Sequence, residues 1–124
     1  GFVWTDTKLQ SVEMDTDLTL TPEFPYNWMY DGTKSKENWF EMTIRCRSLL
    51  LVFKDSGEVN VGKAKVYVDG DYCLTADPHI NNWQHCNAVI LFMEKERKEH
   101  KIRIEIAEED LEKQFTILGF GFVE

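Results

Sequence analysis

The sequence lacks any apolar run long enough to cross a lipid bilayer. A transmembrane helix needs about 20 consecutive apolar residues, whereas the longest apolar stretches, residues 48–53 and 88–93, have the length of a single strand. We therefore predict no membrane partner. The first residues also lack the basic and apolar segments of a signal peptide, which leaves the compartment open.

A basic excess is also lacking. The 124 residues contain 14 Lys and Arg against 22 Asp and Glu, which gives a formal net charge of -8. A chain of this charge repels polyanions and has no dense row of cations to neutralise phosphates. We therefore exclude nucleic acid as a partner.

Cysteine is scarce. Three cysteines, Cys46, Cys73 and Cys86, cannot all pair within one chain, and none lies in a C-x-x-C arrangement. A full disulfide framework is therefore excluded. We expect all three to be small buried apolar residues of a domain that folds without cross-links.

Catalytic motifs are lacking as well. None of the serines stands in the G-x-S-x-G or Gly-Asp-Ser context of a hydrolase nucleophile. His85 and Cys86 are adjacent, and neighbouring side chains of a strand point to opposite faces and cannot act together. The sequence also lacks a P-loop and a glycine-rich dinucleotide turn. We therefore predict that this chain is not itself an enzyme.

The most regular feature present is alternation of apolar and polar residues. Apolar side chains at 40, 42, 44 and 46 alternate with polar ones, and isoleucines at 102, 104 and 106 do the same. Alternation of this kind predicts half-buried strands. The continuously apolar segment 48–53 predicts a fully buried strand, and residues 87–92 and 115–123 predict two more.

Polar segments separate these strands. Residues 54–61, 75–82, 93–100 and 108–114 predict connections with at most a helical turn, and residues 26–39 predict an aromatic-rich loop. Short strands without a long helix predict an all-β fold. We expect an antiparallel β-sandwich of jelly-roll or galactose-binding-like type, with residues 1–124 as one domain.

The strongest local signal is the tetrapeptide Val68-Asp69-Gly70-Asp71. Asp-Gly supplies the two positive φ angles of a type I′ turn and predicts a tight hairpin. This turn would place Val66 opposite Cys73 and Tyr67 opposite Tyr72. We predict that the first pair points inward and that the two tyrosines share the other face.

Aromatic residues are abundant, at 13% with four tryptophans. A flat ring flanked by amides and carboxylates is what a sugar ring requires, because sugars present apolar C–H faces and polar rims. The loop 26–39 and the loop around Trp83 combine these residue types. We expect at least half of the rings to be core, Trp39 and Phe40 among them. The candidate binding residues are Tyr26, Trp28, Tyr30, Trp83, Tyr67 and Tyr72.

Metal ligation has two candidate sets. Asp77, His79 and His85 supply ligand atoms on a loop, but their spacing matches no zinc signature. Glu13, Asp15 and Asp17 alternate along an extended segment, and their carboxylates could converge on a calcium ion. The alternative is a charged edge strand that discourages aggregation. No other cofactor is indicated.

Three segments carry a family resemblance: residues 65–74 (KVYVDGDYCL), 81–86 (NNWQHC) and 99–123 (EHKIRIEIAEEDLEKQFTILGFGFV). Residues 40–124 resemble the β-sandwich accessory domain that accompanies SGNH/GDSL-type hydrolases and esterases of Firmicutes. The resemblance implies a carbohydrate-binding-module-like domain, excised from a larger bacterial hydrolase whose catalytic serine lies in a separate α/β domain. The implied partners are that catalytic domain and a polysaccharide. The alternative is a structural module between domains, with no ligand of its own.

We expect the isolated chain to show no esterase or glycosidase activity, because the parts for acyl transfer are missing. Hydrolysis of p-nitrophenyl acetate should not exceed that of the denatured protein. Turnover well above this control, and lost on substitution of a single serine, would contradict the prediction.

Overall fold

The computed structural model describes Phe2 and residues 27–34, 37–80 and 86–124. These residues form an antiparallel sheet of six strands in the order β1-β6-β2-β5-β3-β4. The predicted all-β antiparallel fold is confirmed. The strands are β1 (Trp28–Asp31), β2 (Trp39–Lys54), β3 (Ala64–Val68), β4 (Asp71–Ala76), β5 (Cys86–Ile106) and β6 (Gln114–Val123).

The connections agree in part with the sequence. A single turn of 3-10 helix, Glu108–Asp110, lies in the predicted connection 108–114. The predicted loop 26–39 instead contains β1, which pairs with the start of β6. In the part of the chain that the structure describes, no helix has the length and apolarity needed to span a bilayer.

Strand β2 is sharply bent. The rings of Phe40 and Phe120 lie 6.0 Å apart, yet Phe120 is the partner of Leu51, which follows Phe40 by 11 positions in the same strand. A straight strand would separate those positions by roughly 36 Å. The two halves of the sheet therefore fold over and face one another, as in a sandwich.

The bend coincides with a bulge. Cys46 pairs with Lys98 and Ser48 pairs with Met93, so that only Arg47 of β2 stands against residues 94–97 of β5. Bulges of this kind bend a strand and increase its twist. They also change which alternate residues face inward: Cys46 is buried before the bulge, and Leu49 and Leu51 are buried after it.

Two sequence predictions are wrong at this bulge. Residues 93–100 belong to the continuous strand β5 rather than to a loop, because Met93 and residues 98–100 pair with β2 on the two sides of the bulge. The segment 48–53 is not buried on both faces, since Leu50 and Val52 alternate as half-buried residues with the buried ones. Tertiary context here overrides the low strand propensity of the polar residues.

The core lies between the two halves of the sheet. Phe53 is fully buried, and its ring stacks on that of Phe115 with centroids 5.6 Å apart. Cys46 is also fully buried, whereas Cys73 and Cys86 are only half-buried, so the expectation of three buried cysteines holds for one. The other large, fully buried side chains include Leu49, Leu51, Val66, Ile102, Ile104 and Ile117.

The predicted β3–β4 hairpin is confirmed. Asp69 and Gly70 have φ angles of 52° and 88°, the positive pair that a type I′ turn requires. Tyr67 pairs with Tyr72, as predicted, but Val66 pairs with Leu74 instead of Cys73. A register shift between Val66 and Tyr67 causes this difference, because the extra residue Cys73 is accommodated in β4.

Phe53→Ala should lower the free energy of unfolding by about 3 to 5 kcal/mol, because the lost ring leaves a cavity between the two halves of the sheet. Phe122→Ala is the matched control, since this ring is 54% exposed. Urea unfolding of both variants measures the difference. Equal losses would contradict the position assigned to the core.

Candidate functional site

Side chains from four strands meet on the outer face of one half of the sheet. Glu41 of β2 is the partner of Arg103 of β5, which is the partner of Tyr67 of β3, and Tyr67 is the partner of Tyr72 of β4. We call this surface the polar face. Its members are Trp39, Glu41, Tyr67, Tyr72, Lys101, Arg103 and Glu105.

The polar face contains a concavity of about 320 Å³. Two acids, two bases, one ring and the turn glycine surround it. The lining residues are Glu41, Tyr67, Gly70, Lys101, Arg103 and Glu105. This combination of a ring and hydrogen-bonding groups in one concavity is typical of a binding site for a small polar molecule.

Arg103 lies at the centre of the polar face. Its Nη1 donates to Glu41 Oε1 at 2.8 Å, and its Nε donates to Glu105 Oε1 at 2.5 Å. Lys101 Nζ lies 2.8 Å from the other oxygen of Glu41. The guanidinium is therefore fixed between two carboxylates, with its plane and donors preorganised.

These contacts stabilise the charged forms of Glu41 and Arg103. The hydrogen bond from Lys101 is the largest cause that lowers the pKa of Glu41, and the charges of Lys101 and Arg103 add to it. The hydrogen bond with Glu105 is the largest cause that raises the pKa of Arg103. Ion pairs at this exposure contribute little to stability, so their role is to hold geometry.

Trp39 lies beneath Arg103. The guanidinium carbon is 4.8 Å from the centroid of the indole, a cation–π contact. We expected Trp39 in the core, but it is half-buried on the same face as Glu41. The alternation in β2 indicates that Trp39 points outward, because it directly precedes the inward-facing Phe40.

Tyr67 and Tyr72 form the exposed aromatic part of the polar face. Their ring centroids are 6.0 Å apart in an edge-to-face arrangement, and Tyr72 is 58% exposed. The hydroxyl of Tyr72 shares a 2.7 Å hydrogen bond with Thr75 Oγ1. This contact restrains the outer ring, and restraint before binding lowers the entropy lost on binding.

The structure does not bring Trp28 and Tyr30 to the polar face. Tyr30 is 4% exposed, and its hydroxyl donates to the carbonyl of Leu111 at 2.6 Å, so it has no free face and belongs to the core. Trp28 is 40% exposed and packs on Phe40 and Phe120 at the rim of the core.

The remaining candidates lie outside the described residues. They are Tyr26, Trp83, Glu13, Asp15 and Asp17. The calcium site therefore stays a prediction. Over residues 27–34, 37–80 and 86–124, no group of three His, Cys, Asp or Glu residues is arranged to hold a metal ion.

The other half of the sheet carries a second surface, the apolar groove. It is formed by Leu50 of β2, Ile90 and Met93 of β5, and Phe122 and Val123 of β6, and encloses about 330 Å³. Ile90 is 60% exposed, although it is a large aliphatic residue. The sequence does not indicate this surface, because the continuously apolar segment 48–53 predicts a strand buried on both faces.

The chain matches no protein-family profile and no curated protein. Its fold is similar to part of several carbohydrate esterases. A two-domain esterase active on acetylated mannans, co-crystallised with mannopentaose, shares a TM-score of 0.64 and 18% identity over 89% of this chain. A family two carbohydrate esterase from Clostridium thermocellum, in complex with cellohexaose, shares a TM-score of 0.57 and 17% identity over 81% of this chain.

A third similar structure is a family two carbohydrate esterase from Cellvibrio japonicus, with a TM-score of 0.52 and 16% identity over 73% of this chain. The matched region is 30%, 28% and 24% of the three esterase chains, respectively. The chain thus spans less than a third of the length of these proteins. The similarity shows a common fold.

Proposed function

We propose that this chain is a non-catalytic accessory domain of a carbohydrate-active esterase, and that it binds an uncharged glycan on the polar face. The observation that carries the proposal is the position of Tyr67 beside Arg103, which Glu41 and Glu105 hold in place, with Tyr72 packed against Tyr67. One ring and several fixed polar groups line the concavity, and a second ring contacts the first.

The two tyrosines provide the apolar contact. A sugar ring can place its apolar C–H face on the exposed ring of Tyr72. The hydroxyl groups at the rim of the sugar then stay in water or bind polar neighbours. Tyr67 stands edge-on to Tyr72 and extends the surface toward Arg103. A glycan chain can therefore run across the strands from β4 toward β2.

The charged residues provide hydrogen bonds. Each carboxylate has about four acceptor sites, and a guanidinium has five N–H donors. The contacts of Arg103 with Glu41 and Glu105 use only part of this capacity. Sugar hydroxyls donate and accept, so they can bind these groups while the ion pairs stay intact.

The balance of charge favours a ligand without charge. Two acids, Glu41 and Glu105, and two bases, Lys101 and Arg103, line the concavity. A ligand carboxylate bound to Lys101 or Arg103 would lie beside Glu41 or Glu105 and would be repelled by their charge. The net charge of -8 adds long-range repulsion of polyanions such as polyuronates.

The fold similarity supports the esterase association. The similar solved structures are carbohydrate esterases, and the chain spans 30% or less of three of them. A segment of this size fits an accessory domain beside a separate catalytic domain. The SGNH/GDSL class of that domain and a source in Firmicutes stay predictions from the sequence resemblance.

Tyr72→Ala should weaken binding of cellohexaose or mannopentaose about five-fold, because a stacked ring contributes on the order of 1 kcal/mol beyond burial. Phe122→Ala, which removes an exposed ring of the other half of the sheet, is the matched control. Isothermal titration and affinity gels with neutral polysaccharides and polygalacturonate measure the effect. Equal affinity of Tyr72→Ala and wild type, or preference for polygalacturonate, would contradict the proposal.

A second candidate function is packing between domains, and the apolar groove favours it. Ile90, Met93 and Phe122 are each more than half exposed and lie together without a charged residue in the lining. An exposed patch of this kind is typical of a docking surface. Its proposed occupant is an apolar surface of the catalytic domain.

Expression of this segment together with the domain adjoining it in its gene tests the packing. Ile90→Asp should lower the melting temperature of the two-domain protein and leave that of the isolated segment nearly unchanged, because the charge is buried only in the docked form. Val59→Asp, at a position that is 86% exposed, is the control. Identical melting of both two-domain variants would rule out docking through the groove.

A further inference from the structure

We infer that His100 is a positioning residue for the polar face, and that its protonated ring holds the Asp69-Gly70 turn against β5 and so sustains glycan binding. This inference rests on the proposed function. It concerns how affinity depends on pH, a property that glycan binding alone does not require.

The geometry around His100 fixes its protonation state. Its Nδ1 lies 2.5 Å from Asp69 Oδ2, and its Nε2 lies 2.6 Å from Glu94 Oε1. A neutral imidazole has one donor and one acceptor, and carboxylates only accept. Both contacts are therefore hydrogen bonds only when the ring is an imidazolium.

Asp69 connects His100 to the polar face. Its Oδ1 accepts a hydrogen bond from the backbone N–H of Lys101 at 2.8 Å, and its own N–H donates to the Lys101 carbonyl at 2.8 Å. Gly70 and Lys101 both line the concavity. A change at Asp69 therefore reaches the turn that joins Tyr67 to Tyr72 and the strand that carries Lys101.

The surroundings of His100 favour the charged ring. His100 is 7% exposed and lies on the opposite face of β5 from Lys101, where it packs on Phe92 with ring centroids 4.3 Å apart. Ile44 of β2 is its partner across the ladder. Among the described residues, the acidic groups that contact the ring are Asp69 from the turn and Glu94 from β5. Cys46 from β2 is close enough to Glu94 to feel its charge.

Burial and the neighbouring carboxylates shift the pKa of His100 in opposite directions. Burial is the largest single effect and lowers the pKa of His100, but the hydrogen bonds and charges of Asp69 and Glu94 together outweigh it and raise the pKa. The backbone N–H of Lys101 is the largest cause that lowers the pKa of Asp69, followed by the bond to His100. Both shifts favour the pairing of an ionised Asp69 carboxylate with a protonated His100 ring.

The sign of the pH dependence follows from these shifts. A raised pKa in the folded state gives stabilisation that is complete below the ordinary value, about 6.5 for histidine, and is lost as pH rises through the folded value. A neutral imidazole has only one N–H donor, so after deprotonation the ring keeps its hydrogen bond to only one of the two carboxylates. The turn is then less firmly held, and affinity for the glycan falls.

Titration of wild type with cellohexaose from about pH 6 to about pH 9 tests the inference, because this range spans histidine deprotonation. Affinity should fall several-fold toward the alkaline end. His100→Gln should bind weakly at all pH values with a flat profile, since an amide does not titrate. Glu94→Gln should move the fall to lower pH, because a neutral partner stabilises the imidazolium less.

His79→Gln is the matched control. His79 contacts Asp77 and the Glu58 carbonyl, away from the polar face, so this variant should keep the wild-type profile. Amide NMR shifts of Gly70 and Lys101 add a readout that needs no ligand, and they should titrate with the ring of His100.

The outcomes separate the two proposals. Binding by wild type that does not change with pH, or a wild-type pH profile in His100→Gln, would overturn the role of His100 and leave glycan binding intact. Wild type that binds neither cellohexaose nor mannopentaose at any pH would overturn the proposed function and, with it, this inference.

Discussion

The bend of the long β2–β5 ladder is the constraint on which the rest of the structure depends. The register between Cys46 and Ser48 skips residues 94–97 of β5, and the sheet folds at this point. Folding brings Phe40 onto Phe120 and encloses Phe53 between the halves. Without the bend, both halves would expose an apolar face too large for a single flat sheet to keep in water.

The same bulge gives the two outer surfaces different chemistry. Before it, the outward positions of β2 carry Trp39 and Glu41 and contribute to the polar face. After it, the inward positions shift by one residue, and Leu50 points outward to the apolar groove. A shift of one residue exchanges the faces of a strand, so one bulge separates the polar face from the apolar groove.

Two basic side chains each lie between two carboxylates that belong to different parts of the fold. Arg103 lies between Glu41 and Glu105, and His100 lies between Asp69 and Glu94. In a chain with an excess of acids, a cation shared by two carboxylates removes their mutual repulsion and fixes the elements that carry them. The half-buried Arg103 contributes mainly orientation. The ring of His100 is buried, whereas the side chains of Asp69 and Glu94 that contact it are 47% and 31% exposed.

The sequence by itself determined the features that depend on neighbouring residues. Alternation at 40–46 and 101–106 predicted strands and their polar faces, and Asp69-Gly70 predicted the turn, because side-chain period and turn dihedrals are local properties. Only the tertiary structure decided the bulge at Arg47, the strand through 93–100 and the pairing of Val66 with Leu74. It also decided that Glu41 meets Arg103, 62 residues away. Register between distant strands is set by how their buried faces pack, and no local pattern encodes that packing.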